Sequence, residues 1–269
     1  MKGAALSKTI YMNPSIRISG DIDILIHPKN LDALNALLIS HGFKQGKIVN
    51  NRIQPFTRKE LLFHALFTHQ VAPYVKNIGN PLWPYINIDV NIDIMWGEYE
   101  GQTDMEYVLT QAQQTSLFEF PVQTFIPPME FIALCLHHYK DMNSLYLLSR
   151  GSLRIGAFCD IYDYLRFVKP SFTEVHQLSH ILGVEPYINA CLKLTNILFG
   201  DPLILDYIIP QEETFGMDLS DFYGLNDKER KTWNIDIWER LFHPNLPKYI
   251  REQLTEDDLK KIKINSILM

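Results

Sequence analysis

An α/β core followed by a helical region is the fold class the sequence predicts, on three observations. Two stretches alternate aliphatic and polar side chains with period two, residues 21–26 (Asp-Ile-Asp-Ile-Leu-Ile) and residues 85–96 (Tyr-Ile-Asn-Ile-Asp-Val-Asn-Ile-Asp-Ile-Met-Trp). A helical pattern over 31–41 lies between the first of them and the stretch 43–49, which is expected as the next strand, so strand, helix and strand follow one another. From Pro127 onward the apolar residues take helical spacing.

Each element has its own signal. Residues 4–10 predict a short helix that starts at Gly3. In the strand 21–26, Asp21 and Asp23 share one face and Ile22, Ile24 and Ile26 the other. His27-Pro28-Lys29-Asn30 is a turn, with Asn30 the expected N-cap of the helix 31–41 and Gly42 its stop. Leu61 to Phe67 is expected as a strand and residues 73–84, with three prolines and Gly79, as a loop. Residues 85–96 put Asn87, Asp89, Asn91 and Asp93 on one face. A helix over 104–114 and a short strand at 118–122 follow. Pro128 opens a helix from its first turn, and helices at 153–167, 173–182 and 186–198 complete a bundle. Beyond residue 200 only charged amphipathic segments stand out, near 229–241 and 248–261.

Composition narrows the function. The 269 residues hold enough apolar side chains for a substantial core, and a net charge of -6 argues against an extended nucleic-acid footprint. Cys135, Cys159 and Cys191 are widely spaced in apolar helical context, as buried free thiols of a reducing compartment would be. With no signal-peptide core and no run of eighteen apolar residues, the expected location is cytoplasmic, away from membranes. No nucleophile elbow, Walker lysine, zinc-protease helix or dinucleotide glycine motif is present. A metal-dependent hydrolase using His64 or His69 would want more histidine ligands at close spacing.

Asp21-Ile22-Asp23 by itself fits an edge strand with a solvated face. Two adjacent acids repel unless something positive lies between them, and Mg²⁺ carrying a nucleoside triphosphate meets that need. The residues upstream add weight. Lys2-Gly3-Ala4-Ala5-Leu6, then Tyr11, Pro14 and Arg17, then the acid pair, resemble the nucleotidyltransferase superfamily and one uncharacterised bacterial branch of it. There a small-residue turn opens a helix and a strand bearing Asp-x-Asp follows. The branch's acid-x-His-Trp ending is matched by Asp93-Ile94-Met95-Trp96, with Met95 in the histidine position. The superfamily's Gly-Gly or Gly-Ser turn is here Gly3-Ala4. A core strand normally precedes that turn, and the sequence opens two residues before Gly3; a start misassigned or truncated upstream, or loss of the strand, would account for it.

The resemblance implies a mixed sheet flanked by helices at 1–123, a helical domain at 124–200 and a helical extension at 201–269. It implies Mg²⁺-dependent transfer of a nucleoside monophosphate from a nucleoside triphosphate to a hydroxyl on a small-molecule, peptide or protein acceptor. Asp21, Asp23 and Asp93 would hold two metal ions, with Asp89 the fallback for the third carboxylate. Lys2, Gly3, Ala4 and Arg17 would meet the nucleotide phosphates. The alternative, supported by the incomplete core, Ala4 and Met95, is a catalytically degenerate nucleotide- or partner-binding module.

Overall fold

The computed structural model describes residues 3–11, 16–17, 19–97, 99–117, 119–210 and 218–268; Lys2 and Pro14 lie outside them. The chain divides into two compact units, residues 1–126 with 268–269, and residues 127–267.

The first unit is built on a five-stranded mixed sheet, with helices and a separate hairpin beside it. Its elements are α1 (Gly3–Thr9), β1 (Ile22–Leu25), α2 (Leu31–Ser40), β2 (Lys44–Val49), β3 (Arg52–Pro55), α3 (Arg58–Phe67), β4 (Tyr74–Asn77), β5 (Tyr85–Asn91), α4 (Met105–Thr110), β6 (Ala112–Leu117) and β7 (Phe120–Phe125). The strand order is β1-β5-β4-β2-β3. β1 and β5 are parallel, and the other neighbours are antiparallel.

Register explains which face is apolar. Ile22 pairs with Ile88 and Ile24 with Val90, so the isoleucines of both strands point the same way. Ile24, Ile26, Ile88 and Val90 pack with Leu31, Leu34 and Leu38 of α2 around Tyr74. The Tyr74 hydroxyl donates to Asn35 Oδ1 at 2.8 Å, which satisfies its polar end inside this layer. The opposite face of β1 and β5 is left to the acids and asparagines.

Four local expectations are corrected. Residues 61–67 are part of helix α3, because Thr57 and Glu60 form a reciprocal capping box that starts it. Within 73–84, Tyr74-Val75-Lys76-Asn77 is strand β4, an interior strand of the sheet, flanked by the turn-forming prolines and glycine. The helix expected over 104–114 ends at Thr110, since Ala112–Leu117 pairs with Phe120–Phe125 as a hairpin. Asn30 makes no side-chain cap; the chain is already turning there, and His27 caps the short turn before α2 by accepting from Lys29 N–H at 3.1 Å. Gly42, at φ +82°, does stop α2, a conformation other residues resist.

The second unit is largely helical. Its main helices are α5 (Pro127–Asn143), α6 (Leu145–Leu148), α7 (Ile155–Asp163), α8 (Phe172–Leu182), α9 (Glu185–Phe199) and α10 (Pro202–Leu205). A small strand pair (Phe222–Tyr223 with Lys231–Thr232) and α11 (Ile237–Phe242), α12 (Leu246–Gln253) and α13 (Glu256–Leu268) follow. Helix α5 is buried along most of its length, with Phe131, Tyr139, Phe158, Ile161 and Ile188 in the core. Cys135 and Cys191 are buried and Cys159 half-buried, all as free thiols. His138 is buried against the Phe158 ring at 4.3 Å, and burial lowers its pKa to about 3. His137 leaves the same helix on another side and reaches Asp141 at 3.3 Å. Among the described residues, no helix is long and apolar enough to cross a membrane.

Candidate functional site

The acid pair and the glycine turn are brought together. Gly3 is buried, and a methyl group added to it would lie 2.2 Å from Ser19 Oγ. Ser19 in turn donates to the Asp21 backbone oxygen at 2.9 Å and approaches Asp21 Oδ1 at 3.3 Å. A glycine is therefore needed where α1 begins if its first turn is to sit against the segment entering β1. Arg17 is half-buried two residues before Ser19.

Across the sheet, Asp23 pairs directly with Asp89 in the β1–β5 register. Side chains of register partners in neighbouring strands point to the same face, so these two carboxylates are adjacent. Asp21 lies in the bend that enters β1, one residue before the strand begins. Asp93 is elsewhere. Strand β5 ends at Asn91, and Asp93 turns back to accept from Met95 N–H at 2.9 Å. Among the described residues, no group of three His, Cys, Asp or Glu side chains is arranged to hold a metal. What the register does supply is a set of hard carboxylate oxygens, the donor type that Mg²⁺ takes.

Between these positions sits Asn91, a residue that alternation alone did not single out. It is 1% exposed. Its amide donates to Ile24 O at 3.2 Å and to Asp23 Oδ1 at 3.4 Å, and its carbonyl accepts from Gln70 Nε2 at 2.9 Å. Thr68 Oγ1 donates to Gln70 O at 2.7 Å, which carries the network to the end of α3. A buried amide with every partner supplied fixes the rotamer of its neighbours, here the Asp23 carboxylate. The sequence signal was present but weak: Asn91 is one of two amides that alternate with Asp89 and Asp93 on that face.

A cleft of about 520 Å³ opens at the C-terminal ends of β1 and β5, lined by His27, Asp93, Trp96, Tyr99, Asp104 and Glu106 among others. Backbone bonds hold its floor: Ile26 N–H to Asn91 O at 3.0 Å and Ile92 N–H to His69 O at 2.9 Å. Trp96 is buried and meets Tyr99 edge-on, ring centres 5.6 Å apart. Burial, and then the Asp93 charge, pushes the Tyr99 phenol up. Glu106 takes Lys29 Nζ at 3.0 Å, and that hydrogen bond lowers its carboxyl. His64, by contrast, is held between Phe56 and Phe63 on α3, and burial lowers its pKa.

No curated protein and no solved structure matches the chain. A family model does, over residues 1–200, a span that takes in the whole sheet, both acid-bearing strands and helices α5 to α9. With the glycine turn, the Asp-x-Asp strand and its parallel neighbour in one unit, the chain belongs to the family described as uncharacterised nucleotidyltransferase.

Proposed function

We propose that the unit of residues 1–126 transfers a nucleoside monophosphate from a nucleoside triphosphate to a hydroxyl on a small-molecule, peptide or protein acceptor, with release of pyrophosphate. The observation that carries this reading is the pairing of Asp23 with Asp89 across two parallel strands, beside the Gly3–Ser19–Asp21 contact. Asp21, Asp23 and Asp89 would hold the two Mg²⁺ ions; the register supports Asp89 as the third carboxylate over Asp93. When bound, Mg²⁺ supplies neutralisation of the phosphates and a lowered pKa for the attacking hydroxyl.

The chain's own groups do the rest. Asn91 keeps Asp23 aimed at the polar face, so that the carboxylate loses little freedom when a cation arrives. Ser19 does the same for Asp21. Asp89, next to Asp23, is the group positioned to take a proton from an acceptor hydroxyl. Arg17 and Lys2 are the proposed cationic partners of the phosphates, and the amides of Gly3 and Ala4 their proposed donors. Nucleoside triphosphate and Mg²⁺ as reactants put the protein in the cytoplasm on this reading, and the acidic net charge disfavours long RNA as acceptor.

One observation favours a second reading, a nucleotide- or partner-binding module: no three-carboxylate group is assembled among the described residues. Labelled nucleoside triphosphates, Mg²⁺ and a cell extract separate the two. Label transfer that disappears in Asp21→Asn, Asp23→Asn and Asp89→Asn supports the enzyme. Nucleotide binding with no transfer to any acceptor supports the module.

A further inference from the structure

We propose that the loop between β4 and β5 docks the first unit onto an anionic lipid surface, with Ile78, Leu82 and Trp83 entering the interface and Lys44, Arg52 and Lys76 meeting the headgroups. This does not rest on the transfer reading. Surface contact of this kind needs no membrane-spanning helix, and none is present among the described residues.

The loop is built to present apolar side chains outward. Leu82 is 92% exposed, Trp83 51% and Ile78 43%. A single exposed apolar residue needs no explanation, but three on one short loop do. The loop satisfies its own backbone. Ile78 N–H donates to Pro84 O at 2.8 Å and closes it. Asn77 Oδ1 accepts from Gly79 N–H at 2.8 Å, and Asn80 Oδ1 accepts from the amides of Leu82 and Trp83 at 2.9 and 3.1 Å. Pro81 and Pro84 have no amide to satisfy. The amides nearest the tip therefore keep their partners when water is taken away.

Charge selects the kind of surface. The chain carries a net charge of -6, yet between Ala33 and Ile88 its only acid is Glu60, against Lys44, Lys47, Arg52, Arg58, Lys59 and Lys76. Glu60 is already paired with Lys47. Three of the other cations belong to the end of the sheet that carries the loop. Lys76 precedes Asn77, and Lys44 is the register partner of Val75. Arg52 follows Asn51, whose carbonyl accepts from the Tyr85 hydroxyl, and Tyr85 pairs with Asn77 where the loop begins and ends. The apolar side chains stand out from a loop instead of lining a groove, so they need a fluid apolar medium, which a nucleic acid does not offer to Leu82 or Ile78. Tryptophan favours the headgroup level of such a medium. Apolar insertion and cationic attraction are together the two signals that stable surface binding takes. Strand β5 starts at this loop and ends at Asn91, where the cleft opens, so docking leaves the cleft clear of the lipid.

Sedimentation of the full chain with phosphatidylcholine vesicles containing about 30% phosphatidylserine tests this, with pure phosphatidylcholine as control. Binding to the anionic vesicles is expected to be at least about tenfold tighter, and to fade at about 0.5 M salt. Leu82→Ser with Trp83→Ser should weaken it at least about tenfold, and Lys44→Gln with Arg52→Gln severalfold. All four side chains are exposed, so both double variants are expected to melt as the wild type does. Brominated acyl chains should quench tryptophan emission in the wild type and leave it unquenched in Trp83→Phe. No binding to anionic vesicles, equal binding to the two kinds, indifference to both double substitutions, quenching that survives in Trp83→Phe, or capture of single-stranded RNA with the vesicles left unbound would overturn the proposal. Asp23→Asn is expected to bind vesicles as the wild type does, so failure here leaves the transfer reading to its own assay.

Discussion

Replacing Glu60 by Gln should weaken the first unit near neutrality and leave it almost unchanged in acid. Glu60 is 9% exposed, and its carboxylate meets the Lys47 ammonium while accepting from the Thr57 amide at 2.7 Å. The Lys47 hydrogen bond is the largest reason that its pKa falls from 4.5 to about 2. The sign follows from that depression. Above about pH 4.5 the carboxylate is charged in both folded and unfolded chains, and the native interactions stabilise fully. As the pH falls from there toward 2, the unfolded chain takes up a proton first and the stabilisation is lost. A shift of this size has a ceiling of about 3 kcal/mol. Lys47 is 42% exposed, so solvent screening brings the expected value down to about 1–2 kcal/mol. Gln keeps an oxygen for the Thr57 amide, so Glu60→Gln removes charge and spares most of the cap, whereas Glu60→Ala should cost about 1 kcal/mol more. Hydrogen-exchange protection of the α3 amides in the full chain, near neutrality and near pH 3, reads the effect. A gap between wild type and Glu60→Gln that is the same at both pH values would refute the reasoning, as would an undiminished gap in a Lys47→Met background.

Other outcomes follow from the same coordinates. Asn91→Leu should destabilise the first unit by about 1–3 kcal/mol, since Gln70 loses a buried acceptor and Asp23 a donor; urea denaturation measures the first loss and Mg²⁺ titration the second. Asp89→Asn should weaken Mg²⁺ binding in that titration far more than Asp93→Asn does, and the reverse order would restore Asp93 as the third carboxylate. Gly46→Ala should destabilise the β2–β3 pair by about 1–3 kcal/mol, because its added carbon would lie 2.6 Å from Gln54 O; a melting temperature equal to wild type would contradict this. In the second unit, His138 stays neutral when folded, with a pKa near 3, so the unfolded chain gains protons relative to it as the pH falls from about 6.5. His138→Leu should therefore flatten the acid loss of stability over that window, read by circular dichroism melts at several pH values.

The elements that could be read from sequence were those whose signal is local. Alternation at 21–26 carries both the strand and its buried face, and Gly42 carries the end of α2 because a positive φ suits glycine. Helix α3 was misread for a local reason too. Leu61-Leu62-Phe63 looks like a strand, yet Thr57 and Glu60 three residues apart are a helix start that outweighs it. Strand β4 was hidden for a different reason. It has four residues, its flanks are prolines and glycine, and what makes it a strand is pairing with β5 on one side and β2 on the other, neither of which its own composition contains.

The third carboxylate shows where one-dimensional reasoning stops. Period two puts Asn87, Asp89, Asn91 and Asp93 on one face and ranks none above another. The Asp93-Ile94-Met95-Trp96 ending favoured Asp93, through resemblance. Register is a property of two strands, and it sets Asp23 against Asp89, with β5 stopping at Asn91 before Asp93 is reached. The two aspartates then lie in different surroundings on one line of chain: Asp89 level with Asp23, and Asp93 in the cleft beyond the strand ends, which Trp96 and Tyr99 also line. Asn91 lies midway, tied to Asp23 and Ile24 on one strand and to Gln70 beside the other, so what fixes the Asp23 carboxylate comes from three segments that no single stretch of sequence contains.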